Sequence, residues 1–396
     1  MPVHTSASVD LAALADQCVM CGLCLPHCPT YRVERVESES PRGRIALAKA
    51  VANGSLPPSP AVQSHLDHCL SCLSCEAVCP SKVRYGEIIV AARAAHPPAR
   101  RAPMLAWLAH RPRLLRSLAR FGAAVHAPRW LPRVLGRATA LGRIAAELPR
   151  VPPTPTLPPL PQSTSRARIG LFLGCVASAF DRDTHAAAAH LLSALGYEVV
   201  VPSQSHCCGA LARHTGDLAD AQRVSAPTRT AFADVDTVIV TASGCFGSLR
   251  DHALAGSGVR VREIHEFLAT DTAFDALRFR ALDRRVAVHV PCSIANVAKS
   301  GRAMTALLRR IPALRLDALP EQPRCCGAAG SYFLEHARIA DALRAERVEQ
   351  IDALAPDLVV TANIGCRAFL DNALHRGPHA PRVVHPVTLL AEQLAP

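Results

Sequence analysis

Cysteine is the residue whose spacing says most about chemistry in this chain of 396 residues, which contains sixteen cysteines. Eight of them form two copies of one run, C-x2-C-x2-C-x3-C-P. The first run comprises Cys18, Cys21, Cys24 and Cys28, and the second comprises Cys69, Cys72, Cys75 and Cys79. Three thiolates at this spacing can bind one cubane iron–sulfur cluster, while the fourth, held before a proline, reaches another cluster. The two runs therefore predict two [4Fe-4S] clusters and one-electron chemistry.

The same spacing, which is that of bacterial two-cluster ferredoxins, predicts the ligands of each cluster. The first cluster would be bound by Cys18, Cys21, Cys24 and Cys79, and the second by Cys69, Cys72, Cys75 and Cys28. A structural zinc site needs four ligands in two CxxC pairs, so a third step and a Cys-Pro would be superfluous. A disulfide framework is typical of short secreted proteins. The first residues, MPVHTSASVD, do not have the pattern of a signal peptide, so secretion is not expected. No apolar stretch reaches membrane-spanning length. A cytoplasmic location is expected.

The other eight cysteines form a second repeated pattern. One copy comprises Cys175, Cys207, Cys208 and Cys245, and the other comprises Cys292, Cys325, Cys326 and Cys366. The offsets between copies are 117, 118 and 121 residues, and a glycine follows each Cys-Cys pair. Val- and Ile-rich runs enter the first and last cysteine of each copy, and helical patterns cover 184–196 and 301–311. This predicts two small α/β units whose parallel strands deliver cysteines to one edge.

Each set of four thiols leaves several interpretations open. The four sulfurs could bind a further iron–sulfur cluster or a zinc ion, because Cys-Cys-Gly makes a tight turn that can point both thiols at one centre. The cysteines could also be small buried apolar residues, or the vicinal pair could be redox-active.

The positive charge of the chain is concentrated between the two cysteine regions. The formal net charge is +12, and residues 100–150 hold eleven arginines but one acid, Glu147. Apolar residues recur there at helical spacing, which predicts short basic amphipathic helices broken by Pro112, Pro128 and Pro132. Such helices suit an anionic membrane surface or an acidic partner, and the alternative is an arginine-rich linker packed on its own domains. Seven prolines in 149–161 then predict a stiff spacer.

Composition and motifs exclude some partners. Only 4% of residues are aromatic, so no basic surface interleaved with base-stacking rings is expected and nucleic acid is not a partner. No G-x-G-x-x-G follows a predicted strand, and no P-loop is present. The chain is therefore not expected to bind a flavin or a nucleotide itself.

Taken together, these residues resemble the glycolate oxidase iron-sulfur subunit family. The resemblance extends to SPRGRIALAK, HLDHCLSCLSCEAVCPSKVRY, TASGC, CCGAAGSYFL and TANIGC. It implies an α+β multidomain fold: a mostly α two-cluster ferredoxin-like domain followed by two tandem small α/β cysteine-rich domains. The expected bounds are 1–99 for the ferredoxin-like domain, 100–165 for the basic segment and linker, and 166–283 and 284–396 for the cysteine-rich domains.

The resemblance also implies a division of labour. A cluster accepts one electron at a time and cannot take the hydride of a 2-hydroxy acid, so an FAD-binding dehydrogenase subunit must be the partner. The chain would have no catalytic residue, would be inactive alone, and would pass electrons towards a membrane quinone, with peripheral contact at the inner face of the cytoplasmic membrane. Related iron-sulfur subunits serve lactate and glycerol-3-phosphate dehydrogenases, so the substrate stays open.

Two other functions remain to be weighed. Heterodisulfide reductases share the Cys-Cys-Gly domain, and this resemblance would allow the domains to be catalytic and to reduce a disulfide. In those proteins, however, the last cysteine of a repeat belongs to a CxxC pair, and the extra thiolate helps to hold an unusual noncubane cluster. Here Ser248 and Phe369 stand at the partner positions, which argues against that chemistry. The domains could instead be zinc-stiffened scaffolds that clamp the flavin subunit.

A few single residues attract attention. Arg42 and Arg44 could raise the reduction potential of a nearby cluster by their charge, although a solvated helix start is the simpler interpretation. His265 and His385 occupy matched positions after the last cysteine of each repeat, where core histidines are expected rather than ligands. The same interpretation applies to His206 and His289.

Overall fold

Short helices form the N-terminal module of this computed structural model, which describes residues 10–97, 107–108, 111–124, 131, 134–136, 139–150, 157, 166–204, 206–320, 325–375 and 380–395. The helices are α1 (Leu11–Ala15), α2 (Pro29–Glu34), α3 (Pro41–Ala52), α4 (Pro60–Asp67), α5 (Ser74–Ala77) and α6 (Tyr85–Ala95). Three of them begin with a proline, whose missing N–H costs nothing at that position. Ser40 and Ser59 cap two of these helices by accepting a backbone N–H.

Most cysteines of the two runs lie in the loops between these helices, whereas Cys75 lies in α5 and Cys28 directly precedes α2. Leu14, Ile45, Leu66 and Ile88 form the buried core of the module, and Cys69 and Cys75 belong to the same cluster. The predicted mostly α character of this domain is confirmed.

The basic segment contributes two further helices, α7 (Pro112–Ala124) and α8 (Ala140–Glu147). The predicted break at Pro112 is the start of α7, while the breaks predicted at Pro128 and Pro132 lie outside the described residues. Most of the predicted proline spacer also lies outside them.

Each Cys-Cys-Gly repeat contains a four-stranded parallel sheet, and the apolar runs that enter its first and last cysteines predict two of these four strands. The strands are β1 (Arg168–Phe172), β2 (Glu198–Val200), β3 (Thr237–Val240) and β4 (Arg260–Glu263), then β5 (Arg285–His289), β6 (Arg315–Ala318), β7 (Leu358–Thr361) and β8 (Arg382–Val384). Their orders are β2-β1-β3-β4 and β6-β5-β7-β8, which are equivalent. Because parallel strands need crossovers, helices connect them and cover the sheets.

The helices of the first repeat are α9 (Ala177–Phe180), α10 (Arg182–Ala194), α11 (Ala210–His214), α12 (Leu218–Ala231), α13 (Ser243–Ser248) and α14 (Ile264–Thr270). Those of the second are α15 (Gly301–Leu308), α16 (Tyr332–Glu335), α17 (Ala337–Leu354), α18 (Ile364–Leu374) and α19 (Pro386–Gln393). Single turns cover Glu37–Glu39, Leu249–Ala253, Thr272–Ala276 and Ser293–Ala298. The predicted helices at 184–196 and 301–311 correspond to α10 and α15. The predicted fold class is confirmed.

The two repeats pack on each other reciprocally. Helix α10 of the first repeat contacts α19 of the second. The corresponding helices pack with the roles of the repeats exchanged, because α14 of the first repeat contacts α15 of the second. The equivalent residues His265 and His385 stack with ring centroids 5.3 Å apart, and Asn363 donates to its equivalent Ser243 at 3.3 Å. Each repeat contributes residues to one shared apolar core. The pair is therefore arranged with approximate two-fold symmetry.

Candidate metal centres

The four cysteines predicted to bind the first cluster lie together. Cys18, Cys21, Cys24 and Cys79 line one small cavity of about 30 Å³, which Cys75 also borders. Gly22 adopts a left-handed backbone with φ of +83°, which turns the loop between Cys21 and Cys24. Burial raises the pKa of the Cys24 thiol to about 11. The arrangement suits four thiolates around one centre, although Cys21 itself is exposed.

The second predicted set of cysteines is more buried than the first. Cys28, Cys69 and Cys75 are buried, and Cys72 is partly buried. Burial and then the neighbouring thiols of Cys72, Cys69 and Cys28 raise the pKa of Cys75 well above its usual value. The last cysteine of the first run thus lies with three cysteines of the second, and Cys79 lies with the first three. This exchange is the one that the spacing predicts, and the ligand assignment itself stays a prediction.

Two buried arginines flank the second set. The Arg44 guanidinium lies 3.9 Å from the Cys28 sulfur, and Arg93 donates to the carbonyl oxygen of Cys69 at 2.6 Å. Burial opposes ionisation of Cys69, but the charges of Arg44 and Arg93 and a hydrogen bond from Tyr85 outweigh it and lower the pKa of this thiol. The simpler interpretation of Arg44 as a solvated helix start is therefore wrong, because it lies inside the module.

Arg44 belongs to a buried ionic network. Its guanidinium pairs with one carboxylate oxygen of Glu39 at 2.5 Å, and the Nδ1 atoms of His65 and His68 lie 2.6 and 2.8 Å from the other oxygen. Burial opposes ionisation of Glu39, but the histidine hydrogen bonds and the Arg44 charge lower its pKa to about 2. Glu39, His65 and His68 could hold a metal ion by their spacing. Since the arginine already neutralises the carboxylate, the network is an ion pair that fixes the helices around the cysteine loops.

The first Cys-Cys-Gly set converges at the carboxyl edge of its sheet. Cys175 follows β1 by three residues, and Cys245 follows β3 by five. The sulfurs of Cys207 and Cys175 are 3.8 Å apart, and hydrogen bonds to Cys207 and Cys245, with burial, raise the pKa of Cys208. Gly209 has φ of +76°, and a Cβ there would lie 2.7 Å from the carbonyl oxygen of Ala221.

The second Cys-Cys-Gly set repeats this geometry. Cys326 and Cys366 have their sulfurs 3.0 Å apart, and a hydrogen bond to Cys292, together with burial, raises the pKa of Cys325. Gly327 has φ of +87°, and a Cβ there would meet the Ala340 carbonyl oxygen at 2.5 Å. All sixteen cysteines are free thiols. Each set could hold a metal through four sulfurs, which is the donor number of zinc and cubane sites.

The second repeat lies directly against the second ferredoxin-type set. Burial and then the nearby Cys292 thiol raise the pKa of Cys72, so these sulfurs are electrostatic neighbours. Asn296, four residues after Cys292, donates to the Cys72 carbonyl oxygen at 2.8 Å. Tyr332 donates to the carbonyl oxygen of His68 at 2.9 Å. The sequence gives no local signal for this contact, because its partners are more than 200 residues apart.

One large cavity connects these regions. Its volume is about 2180 Å³, and cysteines from both repeats line it together with Cys69 and Cys72. Ser248 and Phe369, which stand where heterodisulfide reductases have an additional cysteine in each repeat, also line this cavity. Ser248 donates to the Cys208 carbonyl oxygen at 2.6 Å, and Phe369 is buried under the Arg344 guanidinium. Neither side chain offers the additional thiolate that a heterodisulfide reductase site would need.

Three of the four candidate histidines, His265, His289 and His385, are buried core residues. His265 and His385 are fully buried between the repeats, and His265 bonds to the Glu263 carboxylate at 2.6 Å. His289 lies 2.8 Å from the Thr361 hydroxyl in the second sheet, and His206 is partly buried beside Cys207. The stacked pair fits the expectation of core histidines.

Comparisons with known proteins agree with this architecture. Residues 14–83 match the 4Fe-4S dicluster domain family, and residues 169–250 and 286–371 match the Cysteine-rich domain family. The chain is 31% identical to the glycolate oxidase iron-sulfur subunit of Escherichia coli (strain K12), over 93% of each protein. It is 30% identical to the probable glycolate oxidase iron-sulfur subunit of Bacillus subtilis (strain 168), over 95% of this chain and 93% of that protein.

A shorter relative matches only part of the chain. Lactate utilization protein A of Geobacillus thermodenitrificans (strain NG80-2) is 26% identical over 55% of this chain and 96% of its own length. The matches confirm the predicted resemblance and indicate iron–sulfur clusters. Among the helices in the described ranges, none combines the length and apolar character needed to cross a membrane.

Proposed function

The chain belongs to the glycolate oxidase iron-sulfur subunit family, and we propose that it is the electron-transfer subunit of a flavin-dependent 2-hydroxy acid dehydrogenase, with glycolate as the substrate of the complex. An FAD-binding partner removes the hydride, and this chain passes the electrons singly towards a membrane quinone-type acceptor. The observation that carries the proposal is the contact of the Cys72 loop with the second repeat, where Asn296, four residues after Cys292, donates to the Cys72 carbonyl oxygen at 2.8 Å. Reconstitution with the flavoprotein tests it.

The residues fit two cubane clusters. Cys18, Cys21, Cys24 and Cys79 would hold one, and Cys28, Cys69, Cys72 and Cys75 would hold the other. When bound, each cluster would exchange one electron at a time. The first set is the more open of the two, because Cys21 is exposed and the neighbouring Val19 is 68% exposed. A flavoprotein can approach the chain there, while the buried second set faces the repeats.

The second repeat is proposed to hold a further metal centre, an iron–sulfur cluster or a zinc ion. We expect metal beyond the roughly eight irons of the ferredoxin-type module, and Cys326→Ser should remove it because that substitution deletes one of four sulfur donors. Iron and zinc analysis of the reconstituted chain measures this. Cys208→Ser, at the equivalent cysteine of the first repeat, is the matched comparison. Equal metal content in the two variants and the unaltered chain, with no excess over eight irons, would show that the second set binds nothing.

The basic segment supports a peripheral membrane contact. Leu114, Leu118 and Phe121 are exposed along one face of α7, at positions i, i+4 and i+7. The opposite face is anchored, because Ala119 packs with Ala179 and Phe180 of the first repeat. Arg113 and Arg120 are exposed on the flank of the apolar face. An apolar face flanked by cations fits an anionic lipid surface, which attracts each arginine by about 1 kcal/mol.

Helix α8, the other helix of the segment, packs on the second repeat, as the alternative interpretation of an arginine-rich packing linker predicts. Arg143 of α8 pairs with Asp341 at 2.8 Å, and Glu147 pairs with the buried Arg344 at 2.8 Å. The segment therefore divides into α8, which packs on the second repeat through these ion pairs, and α7, which exposes one apolar face among the described residues.

Replacing Leu114, Leu118 and Phe121 together with serine should lower binding to anionic liposomes by roughly 100-fold. Each partly exposed side chain would contribute about 1 kcal/mol on entering the interface. Vesicle sedimentation measures this, and binding of the unaltered chain should also weaken with salt, since screening shortens the reach of exposed charges to about 8 Å. Val201→Ser, at an exposed apolar residue of the first repeat, is the control. Salt-independent binding, or equal binding of the triple variant, would favour the packing-linker interpretation.

A further inference from the structure

The two ferredoxin-type sites differ in the charges around them. Beside the second set, Arg93 is 5% exposed and donates hydrogen bonds to the carbonyl oxygens of Leu66, Cys69 and His214 at 2.6 to 2.7 Å. It also contacts the Asp67 carbonyl and the Ser71 hydroxyl. These acceptors are neutral, so they orient the guanidinium without cancelling its charge. Its ion pair is with Asp67, at 3.8 Å.

Arg44 adds a second cation on the Cys28 side of the same set. It is 1% exposed, and its pairing with Glu39 turns the positive end of the ion pair towards Cys28 and Thr30. Tyr85 further donates to the sulfur of Cys69 at 3.5 Å. Positive charge and hydrogen bonds to sulfur both favour the reduced, more negative state of an iron–sulfur centre.

The first set lacks comparable buried cations among the described residues. Arg42 reaches the loop there and donates to the Met20 carbonyl oxygen at 3.0 Å. It lies near the surface and is paired with Glu37 at 2.6 Å, so solvent and the carboxylate both weaken its field.

Burial acts in the opposite direction and must be weighed against these charges. The second set is the more buried, and burial disfavours the more highly charged reduced state. The geometry of the second set favours the charges. Two guanidinium groups lie in its buried surroundings, one 3.9 Å from the Cys28 sulfur and the other 2.6 Å from the Cys69 carbonyl oxygen, and Tyr85 donates to the Cys69 sulfur. Because a charge acts more strongly in a buried, low-dielectric site than at the surface, these cations outweigh the loss of solvent.

We infer that Arg93, supported by Arg44, makes the second ferredoxin-type centre the more easily reduced of the two and so directs electrons from the first site towards the repeats. The inference rests on the proposed function, because it needs both centres. It concerns single-electron exchange, in which no bond forms or breaks. Arg93 also bonds to His214 of the first repeat, so the charge that sets the potential is fixed by the contact between the module and the repeats.

An anaerobic redox titration of the full chain, followed by electron paramagnetic resonance, tests the inference. The signal that survives in Cys21→Ser identifies the second centre, which should be reduced before the first in the unaltered chain. Arg93→Gln should lower the ratio of reduced to oxidised second centre at least tenfold at a fixed ambient potential, about 59 mV for one electron. The first centre should not shift. Arg93→Lys should restore most of the potential because it keeps the charge.

Arg84→Gln is the matched control, since Arg84 lies on the same module but is exposed and paired with Glu87. It should leave both potentials unchanged. Reduction of the first centre before the second would overturn the inference even if the Arg93 variants failed to fold. A lysine variant that matches the glutamine variant would also overturn it, since the arginine would then act through its hydrogen bonds. A chain without either centre would refute the proposed function itself.

Discussion

Replacing Cys21 with serine should remove half of the iron bound by the ferredoxin-type module, about four of eight atoms per chain. Cys21 lies with Cys18, Cys24 and Cys79, so the other centre should survive or weaken. Iron analysis after anaerobic reconstitution measures the loss, and loss of the interaction between the two reduced spins reports it independently. Val19→Ser, an exposed substitution in the same loop, should retain both centres.

Cys28 provides the sharper form of this experiment. It belongs to the first run by sequence but lies with Cys69, Cys72 and Cys75 in the structure. Cys28→Ser should therefore remove the same centre as Cys72→Ser and leave the centre that Cys21→Ser removes. If Cys28→Ser and Cys21→Ser removed the same centre, the assignment would be wrong. Fewer than about four irons in the unaltered chain would reject the two-cluster prediction altogether.

The isolated chain should not oxidise glycolate, lactate or other hydroxy acids with any dye, and addition of the flavin subunit should restore the activity. The reason is that hydride removal needs a two-electron acceptor, whereas clusters exchange single electrons. Hydroxy-acid-dependent dye reduction measures the outcome, and bleaching of the partner flavin separates hydride removal from electron exit. A useful rate from the chain alone would require a cofactor site of its own.

Serine at Cys207 or Cys325 sharpens this prediction. Both residues lie in the repeats and not in the proposed entry site. In the reconstituted complex, each substitution should slow dye reduction or weaken assembly more than it slows flavin bleaching. Val201→Ser is the control within the repeats. Equal slowing of bleaching and dye reduction would mean that the repeats act on hydride removal.

The sequence predicted those parts of the fold that local spacing determines. Cysteine spacing predicted which residues of the two runs converge, and alternating apolar runs and helical patterns predicted β1, β3, β5 and β7 with their crossovers. The environment of the second set was not predictable in this way. Arg93 donates a hydrogen bond to the His214 carbonyl oxygen, and Asn296 donates one to the Cys72 carbonyl oxygen. In each case the two residues are more than 100 positions apart in the chain. Such contacts arise only when whole domains pack, so no periodicity in the chain reports them.

Arg42 and Arg44 illustrate the same limit within one helix turn. They are two residues apart and chemically identical, yet Arg42 faces solvent and Arg44 is fully buried. A guanidinium at either position would satisfy the pattern of a helix start. Arg44 points inwards because its acceptors, the Glu39 carboxylate, the Thr30 hydroxyl and the His65 carbonyl oxygen, lie inside the module.

The reciprocal packing of the two repeats is the arrangement expected if the subunits of an ancestral homodimer became one polypeptide. In a two-fold dimer, matched residues meet at the axis, as His265 and His385 do here. After such a fusion the two repeats can diverge in sequence. Asn296 holds the Cys72 loop, whereas Ala179 stands at the matching position of the first copy. Under the proposed function, a symmetric pair would offer two equal exits for each electron, and divergence at such positions would leave a single preferred one.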